Sequence, residues 1–182
     1  MTRYALLTFA LLGFASLATA ADWKQQPGSK LGFSGQQQGE AFDGQFRTFV
    51  AQIHFDPAAI ADAHFDVSID IASADTANSE RDETMLGADF FDSAKFPKAH
   101  FVTGKFHQLS PGKFEADATL TIRDKTVPVK FPFTWSGDAK VAVLDAKVTL
   151  DRLAFGLGSG EWEDESSVGH KVEVIVHLKL AP

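Results

Sequence analysis

Alternation of apolar and polar residues organises this chain from residue 29 onward. Phe65, Val67, Ile69 and Ile71 share one parity, while His64, Asp66, Ser68 and Asp70 hold the other. The same period of two returns in Phe114, Ala116, Ala118, Leu120 and Ile122, then in Val127, Val129, Phe131, Phe133 and Trp135. It closes the chain in Val172, Val174, Val176, Leu178 and Leu180. A period of two places one parity on each face of a sheet, so each run predicts a half-buried antiparallel strand. Further strands are predicted over 29–35, 42–55, 100–109 and 140–150. Eight strands in sequence order favour an all-β, closed or nearly closed antiparallel barrel over a sandwich.

Two breaks in the pattern sharpen this picture. Within 42–55, Phe42 and Phe46 keep one parity and Phe49, Ile53 and Phe55 the other. A change of phase inside one run predicts a bulge that bends the strand round a barrel. Pro128 and Pro132 stand four apart in the strand richest in Phe, so two missing amide donors face the same neighbour. That predicts an edge, or a wall weakly sealed on one side. The one helical interruption is short and runs over 78–87. Ser79 and Asp82 have capping-box spacing, Glu80, Asp82 and Glu83 suit the positive end of a helix, and Met85 and Leu86 would point inward. A second turn over 88–92 carries Phe90 and Phe91. His100 and His107, and likewise His170 and His177, are seven apart, which puts each pair on opposite faces of a regular strand without metal-ligand spacing.

Composition changes the picture in three respects. The chain has seventeen Phe but one Tyr, and that Tyr, with Phe9 and Phe14, lies in the first twenty residues. Tyr needs a partner for its hydroxyl when buried and Phe does not. The interior is therefore furnished for hydrocarbon, either its own or that of a long apolar ligand. Residues 1–20 read as a signal peptide: Arg3, an apolar stretch over 5–17, then Ala18-Thr19-Ala20 at the cleavage position. Residues 21–182 form one exported, periplasmic domain, and with ~160 residues it closes a core without staples, consistent with the absence of Cys. The formal net charge of -7 argues against nucleic acid and against lasting adhesion to anionic lipid, leaving only transient membrane contact.

No Gly-rich loop precedes a helix, which removes the usual nucleotide signals. Gly156-Leu157-Gly158-Ser159-Gly160 is a flexible turn between strands. The acidic run Glu161-Trp162-Glu163-Asp164-Glu165 lacks the spacing of a helix-loop-helix calcium site, and charge runs are usually solvated surface. The expectation is no catalytic residue, no metal and no cofactor of the usual kinds, hence no enzyme. No particular oligomeric state follows from the pattern.

Arg81-Asp82-Glu83-Thr84-Met85-Leu86 is followed by Asp89-Phe90-Phe91-Asp92, Lys95-Phe96-Pro97 and Phe101. Together with Leu120-Thr121-Ile122, Asp151-Arg152-Leu153-Ala154-Phe155-Gly156 and Trp162, this series resembles the YceI-like family from residue 33 to 180. The resemblance implies an exported, elongated, eight-stranded lipocalin-like barrel, with the short helix around 78–92 covering one end and a polyisoprenoid chain held inside. Gly158-Ser159-Gly160-Glu161-Trp162 is similar to the branch that accompanies membrane b-type cytochromes, which implies a cytochrome as a second kind of partner. The family often has Asn-Gly after Leu-Thr-Ile, where this chain has Arg123-Asp124-Lys125.

On this reading Phe65, Ile69, Met85, Leu86, Phe90, Phe101, Phe131 and Phe133 line the tunnel. Arg81 and Arg152 are candidates for a prenyl phosphate or for the carbonyl of an isoprenoid quinone, although ion pairs with Asp82 or Asp151 would occupy them equally well. Strands of ~10 residues at ~3.3 Å, tilted by ~40°, give a barrel ~25 Å long. The expected function is binding of an isoprenoid lipid for transport, storage or sequestration. The competing expectation is a structural or redox accessory protein with a solid core that docks on a membrane b-type cytochrome.

Overall fold

In the computed structural model, which describes residues 21–182, the first two long strands form a bent hairpin. The signal peptide expected over 1–20 lies outside the described residues. Ala21–Gln25 (β1) and Lys30–Gln37 (β2) run against Phe49–Phe55 (β4) and Glu40–Phe46 (β3). Lys24 faces Gln52 on one side of the bend and Leu31 faces Phe46 on the other, a slip of one residue. The slip falls at Arg47 and Thr48, where the parity of the phenylalanines changes. Phe33 lies across the strand from Gly44, where an added Cβ would come within 2.3 Å of its ring. Only glycine lets that ring lie flat over the neighbouring backbone.

The sheet continues through His64–Asp70 (β5) with a two-residue extension, Ala74–Asp75 (β6). Then come Lys98–Ser110 (β7), Lys113–Ile122 (β8), Lys125–Gly137 (β9), Ala142–Asp151 (β10) and Lys171–Ala181 (β11). The order β1-β4-β5-β7-β8-β9-β10-β11 closes on itself, because Lys24 and Gln25 of β1 pair with Ala181 and Leu180 of β11. Farther along, β11 pairs with β2 through 173–177. Since β1 with β2, β3 with β4, and β5 with β6 are pieces of single bent strands, the architecture is an eight-stranded antiparallel barrel. The helix, Ser79–Leu86 (α1), and the loops over 87–97 and 152–170 gather at one end. The cap of α1 is not Ser79: Asn78 occupies that position and its side chain accepts from the Arg81 amide at 3.1 Å. Asp82 instead accepts from the Thr76 amide and hydroxyl at 2.9 and 2.7 Å.

A bulge between Thr103 and Phe106 shifts the phase of β7. His100 and His107 therefore both point outward, toward Asp66 and Asp117, rather than to opposite faces. His54 and His177 make the same kind of cross-strand contact with Asp22 and Asp145, each at 2.7 Å. His170 is not on a strand; its ring lies 2.6 Å from the Glu163 carbonyl.

The barrel interior is divided along its length. In the half away from α1, Phe55 is fully buried, with the rings of Phe65, Phe106, Phe114, Phe133 and Trp135 centred within 5.8 Å of its own. Trp23 seals that end by donating its indole N–H to the Phe55 carbonyl at 2.9 Å. Here the phenylalanines fill their own middle. Toward α1 the walls include Leu31, Ile69, Ile71, Leu120 and Ile122, which border a cavity.

Strands β8 and β9 pair along ten positions, and β10 and β11 along ten. Strands β9 and β10 pair along only five, from Gly137 opposite Ala142 to Phe133 opposite Ala146. The next residue of β9 is Pro132. The Trp135 amide bonds to Gly112 on the β8 side, so amides of the other parity, including the positions of Pro128 and Pro132, face β10. The ladder parts where the first donor is missing.

Candidate functional site

A cavity of about 230 Å³ occupies the half of the barrel nearest α1. Toward the plug it ends on Ile53, Phe65, Phe131, Leu144 and Leu178. Its walls carry Ile69, Phe101, Leu120, Val129, Val148 and the alternating valines Val172, Val174 and Val176 of β11. From Leu144 to Leu150 along β10 is six residues, which at ~3.3 Å each and a ~40° tilt gives a depth of ~15 Å. The aromatic plug thus removes about two-fifths of the length expected from the strands alone.

The polar side chains in the lining are Gln37, Arg81, Thr84 and Arg152, with the Trp162 indole, and all belong to the open end. Phe90 and Trp162 sit edge to face there, ring centroids 5.6 Å apart, and the Trp162 indole N–H reaches Asp89 at 3.3 Å. Trp162 thereby links the two loops that frame the mouth. Gly158 permits this packing. Its φ is +65 degrees, in the left-handed region, and a Cβ would fall within 2.8 Å of the Phe90 ring and the Arg152 guanidinium.

The two candidate arginines have different surroundings. Arg81 donates from Nε to Gln37 Oε1 at 2.9 Å, and its guanidinium carbon lies 4.3 Å above the Phe42 ring. Stack and hydrogen bond fix its direction, while its two Nη groups have no partner among the described residues. Neither Asp82 nor Asp151 takes it, since Asp82 is held by Thr76 and Asp151 by Lys171 and the Leu153 amide. Arg152 is 4% exposed and uses every donor it has. Nε bonds to the Gly169 carbonyl, Nη1 to Leu157 and Gly158, and Nη2 to Trp162 and Val168, all at 2.6 to 3.1 Å. Burial pulls its pKa down from the ordinary arginine value, against the upward pull of the Asp151 and Glu163 carboxylates. A guanidinium has five N–H donors, so the head-group role expected of Arg152 does not fit. It is the centre around which the loop over 157–169 is wound.

Of the residues expected to line the tunnel, Phe65, Ile69, Met85, Phe90, Phe101 and Phe131 are in the cavity wall. Phe133 and Leu86 are not. Phe133 points inward as its parity requires, but one step deeper, into the ring cluster around Phe55. Leu86 is partly buried and packs against the core cluster at this end. Parity reports direction and not depth. Gln37 and Phe42, which orient Arg81, carried no signal of their own.

Arg123 has a third role. It sits at φ 56 degrees in the turn between β8 and β9, a left-handed position that favours Asn or Gly. Its Nη1 bonds to the Phe90 carbonyl at 3.0 Å and the Gly156 carbonyl at 3.2 Å, which clasps both mouth loops, and its Nε is buried without a partner.

A YceI-like domain is matched by residues 23–180, nearly the whole described chain. The chain belongs to the YceI-like family. Among curated relatives, a UPF0312 protein of Photorhabdus laumondii is 33% identical over 143 residues, 76% of this chain and 74% of that protein. One of Pseudomonas putida is 33% identical over 144 residues, 75% of this chain and 69% of that protein. Against UPF0312 proteins of Vibrio, the match spans about half of the relative, 46% of its length in Vibrio parahaemolyticus at 34% identity. In solved structures, Burkholderia cenocepacia BcnA matches with a TM-score of 0.80 at 32% identity, covering 83% of this chain and 95% of BcnA. A polyisoprenoid binding domain from Saccharophagus degradans shares the fold, with a TM-score of 0.68 at 15% identity over 91% of this chain and all of that one.

Proposed function

We propose that this YceI-like barrel is an exported carrier or sequestering protein for an isoprenoid lipid, with a prenyl phosphate or an isoprenoid quinone as ligand and no chemistry of its own. The observation that carries this reading is the distribution of polarity in the cavity. Its depth is lined by Phe, Val, Ile and Leu, and its polar groups stand at the mouth. A branched hydrocarbon has no hydrogen-bonding group to satisfy, and a depth without hydroxyls leaves none of its own unpaired. The existence of the cavity also weighs against a solid-cored accessory subunit of a cytochrome.

The energetics place selectivity at the mouth. Each five-carbon unit taken from water contributes on the order of 4 kcal/mol, at roughly 0.8 per carbon. A ligand drawn from a membrane is already dry, so this contribution nearly cancels. What decides is the head group, at about 1.5–3 kcal/mol for each hydrogen bond to a charged partner. Arg81 is the candidate for such bonds, supported by the Nη groups that Gln37 and Phe42 leave free.

The test is extraction from phosphatidylcholine vesicles doped with either undecaprenyl phosphate or ubiquinone. Arg81→Gln should lower capture of the preferred lipid by about tenfold or more, equivalent to roughly 1.4 kcal/mol or above. A parent protein that extracts neither lipid would remove the proposal.

A further inference from the structure

We infer that the parted strands β9 and β10 form a lateral portal, through which the hydrocarbon tail enters the cavity and through which a tail longer than the cavity leaves it. The inference rests on the lipid-binding reading above and adds to it a route and a tolerance for chain length.

The β9–β10 ladder is interrupted there for a covalent reason. The residue that would continue the β9–β10 ladder is Pro132, and the next residue of the same direction but one is Pro128. Proline has no N–H to donate, so the break persists however closely the strands approach. The side chains on the outer face do not compensate. Lys130 is drawn back to Asp117 and Glu115 on β8, at 2.5 and 3.6 Å. Lys147 is drawn to Glu173 on β11 at 2.7 Å, and Asp151 to Lys171 at 3.4 Å. Among the described residues no ion pair crosses from 125–132 to 147–151. The gap is bounded below by the pairing of Phe133 with Ala146. Above, it is bounded by the turn Arg152–Phe155 and the hydrogen bond from Arg123 to Gly156.

What lies behind the gap identifies its occupant. Val129 and Phe131 on one edge, and Val148 and Leu150 on the other, are all part of the cavity wall. Three of the four are only half-buried although they face inward. A peptide strand added there would find prolines on one edge, whereas a hydrocarbon needs no donors. The cavity is also short. At about 230 Å³ it lies below the ~300–1,000 Å³ usual for small-molecule sites, and its far end is blocked by the rings around Phe55. A long prenyl chain whose head group rests at Arg81 must leave the cavity again, and the interrupted seam, edged by Val129, Phe131, Val148 and Leu150, is the apolar flank available to it.

Two prenyl alcohols carrying a photoreactive diazirine at the tail end, one of four isoprene units and one of nine, are presented in phosphatidylcholine vesicles. The four-unit probe should label the floor around Phe65 and Leu144. The nine-unit probe should label 127–132 and 147–151. Labelling of 87–91 and 160–168 by the nine-unit probe, with the floor still labelled by the shorter one, would overturn the portal and leave lipid binding intact. No labelling of the cavity wall by either probe would overturn both. For the route of entry, Pro128→Val with Pro132→Thr restores both donors and should slow probe exchange at least tenfold. Should that variant misfold, Lys130→Cys with Thr149→Cys bridges the gap from outside, in a chain that otherwise has no Cys. A cleavable bis-maleimide across this pair should slow exchange, and its cleavage should restore the parent rate. Exchange indifferent to the bridge would refute entry through the seam.

Discussion

Replacing Arg152 by Met should collapse the frame of the mouth while leaving the strands intact. The side chain is 4% exposed and supplies five hydrogen bonds to the carbonyls of Leu157, Gly158, Trp162, Val168 and Gly169. Bonds to charged groups contribute about 1.5–3 kcal/mol each where the partner is buried. Carbonyls on an exposed loop regain water when released, so most of that sum is not lost. About half of the lower bound for five such bonds, ~4 kcal/mol, is therefore the expected net loss. For a domain of this size that lowers Tm by about 8–16 °C. Met keeps the volume and apolar stem, so the loss reports on the donors. Arg152→Lys supplies three donors in place of five and no planar fork, and it should fall between parent and Met. Differential scanning calorimetry gives the magnitude and hydrogen exchange gives the place, with protection lost over 157–169 and kept in β7 and β8. A Met variant within ~1 kcal/mol of the parent, or equal loosening throughout the barrel, would refute the reasoning.

Phe131→Asp puts a carboxylate on the cavity floor, where the parent ring is 7% exposed and packs at a tilt against Phe101, centroids 4.9 Å apart; lipid retention through detergent-free purification should be abolished, and unchanged retention by mass spectrometry would take Phe131 out of the site. Arg123→Asn relieves a left-handed turn by ~1 kcal/mol but removes the clasp on Phe90 and Gly156, so Tm should change little while amide exchange over 87–92 and 153–160 rises; unchanged exchange there would deny the clasp. The Asp164 carboxyl is held below the usual carboxylate range, first by the Ser166 amide and then by its hydroxyl. A depressed value means the contribution is whole above about pH 4, the ordinary aspartate region, and is lost as pH falls through the folded value beneath it. Trp162 fluorescence should therefore respond below pH 4 before the strands melt, and a response centred near pH 6 would contradict the assignment.

The fold was largely legible because a half-buried barrel strand writes its own period. The change of phase between Phe46 and Phe49 marked the bend at Arg47 and Thr48, and Pro128 with Pro132 marked where β9 parts from β10. Depth was not legible. Phe131 and Phe133 differ by one step of the same parity, yet the first lines the cavity and the second joins the plug. What distinguishes them is the set of rings packed against each, Phe101 for one and Phe55, Phe106 and Phe114 for the other. The two arginines were also equivalent as letters. One stands oriented at the mouth and the other is wrapped in carbonyls, because the glycine-rich loop after Arg152 turns back on it, and loop path is set by contacts distant in sequence. The bulge that turned His107 outward sits at Gly104 and Lys105, where the pattern offered only a glycine.

The most direct measurement is native mass spectrometry of the protein expressed from the full sequence and purified without detergent, followed by solvent extraction of whatever it carries. The account predicts a one-to-one adduct whose extract is an isoprenoid, present in the parent and absent from Phe131→Asp. A parent protein that arrives at its bare polypeptide mass under conditions that preserve non-covalent complexes, and acquires no adduct from isoprenoid-doped vesicles, would contradict it.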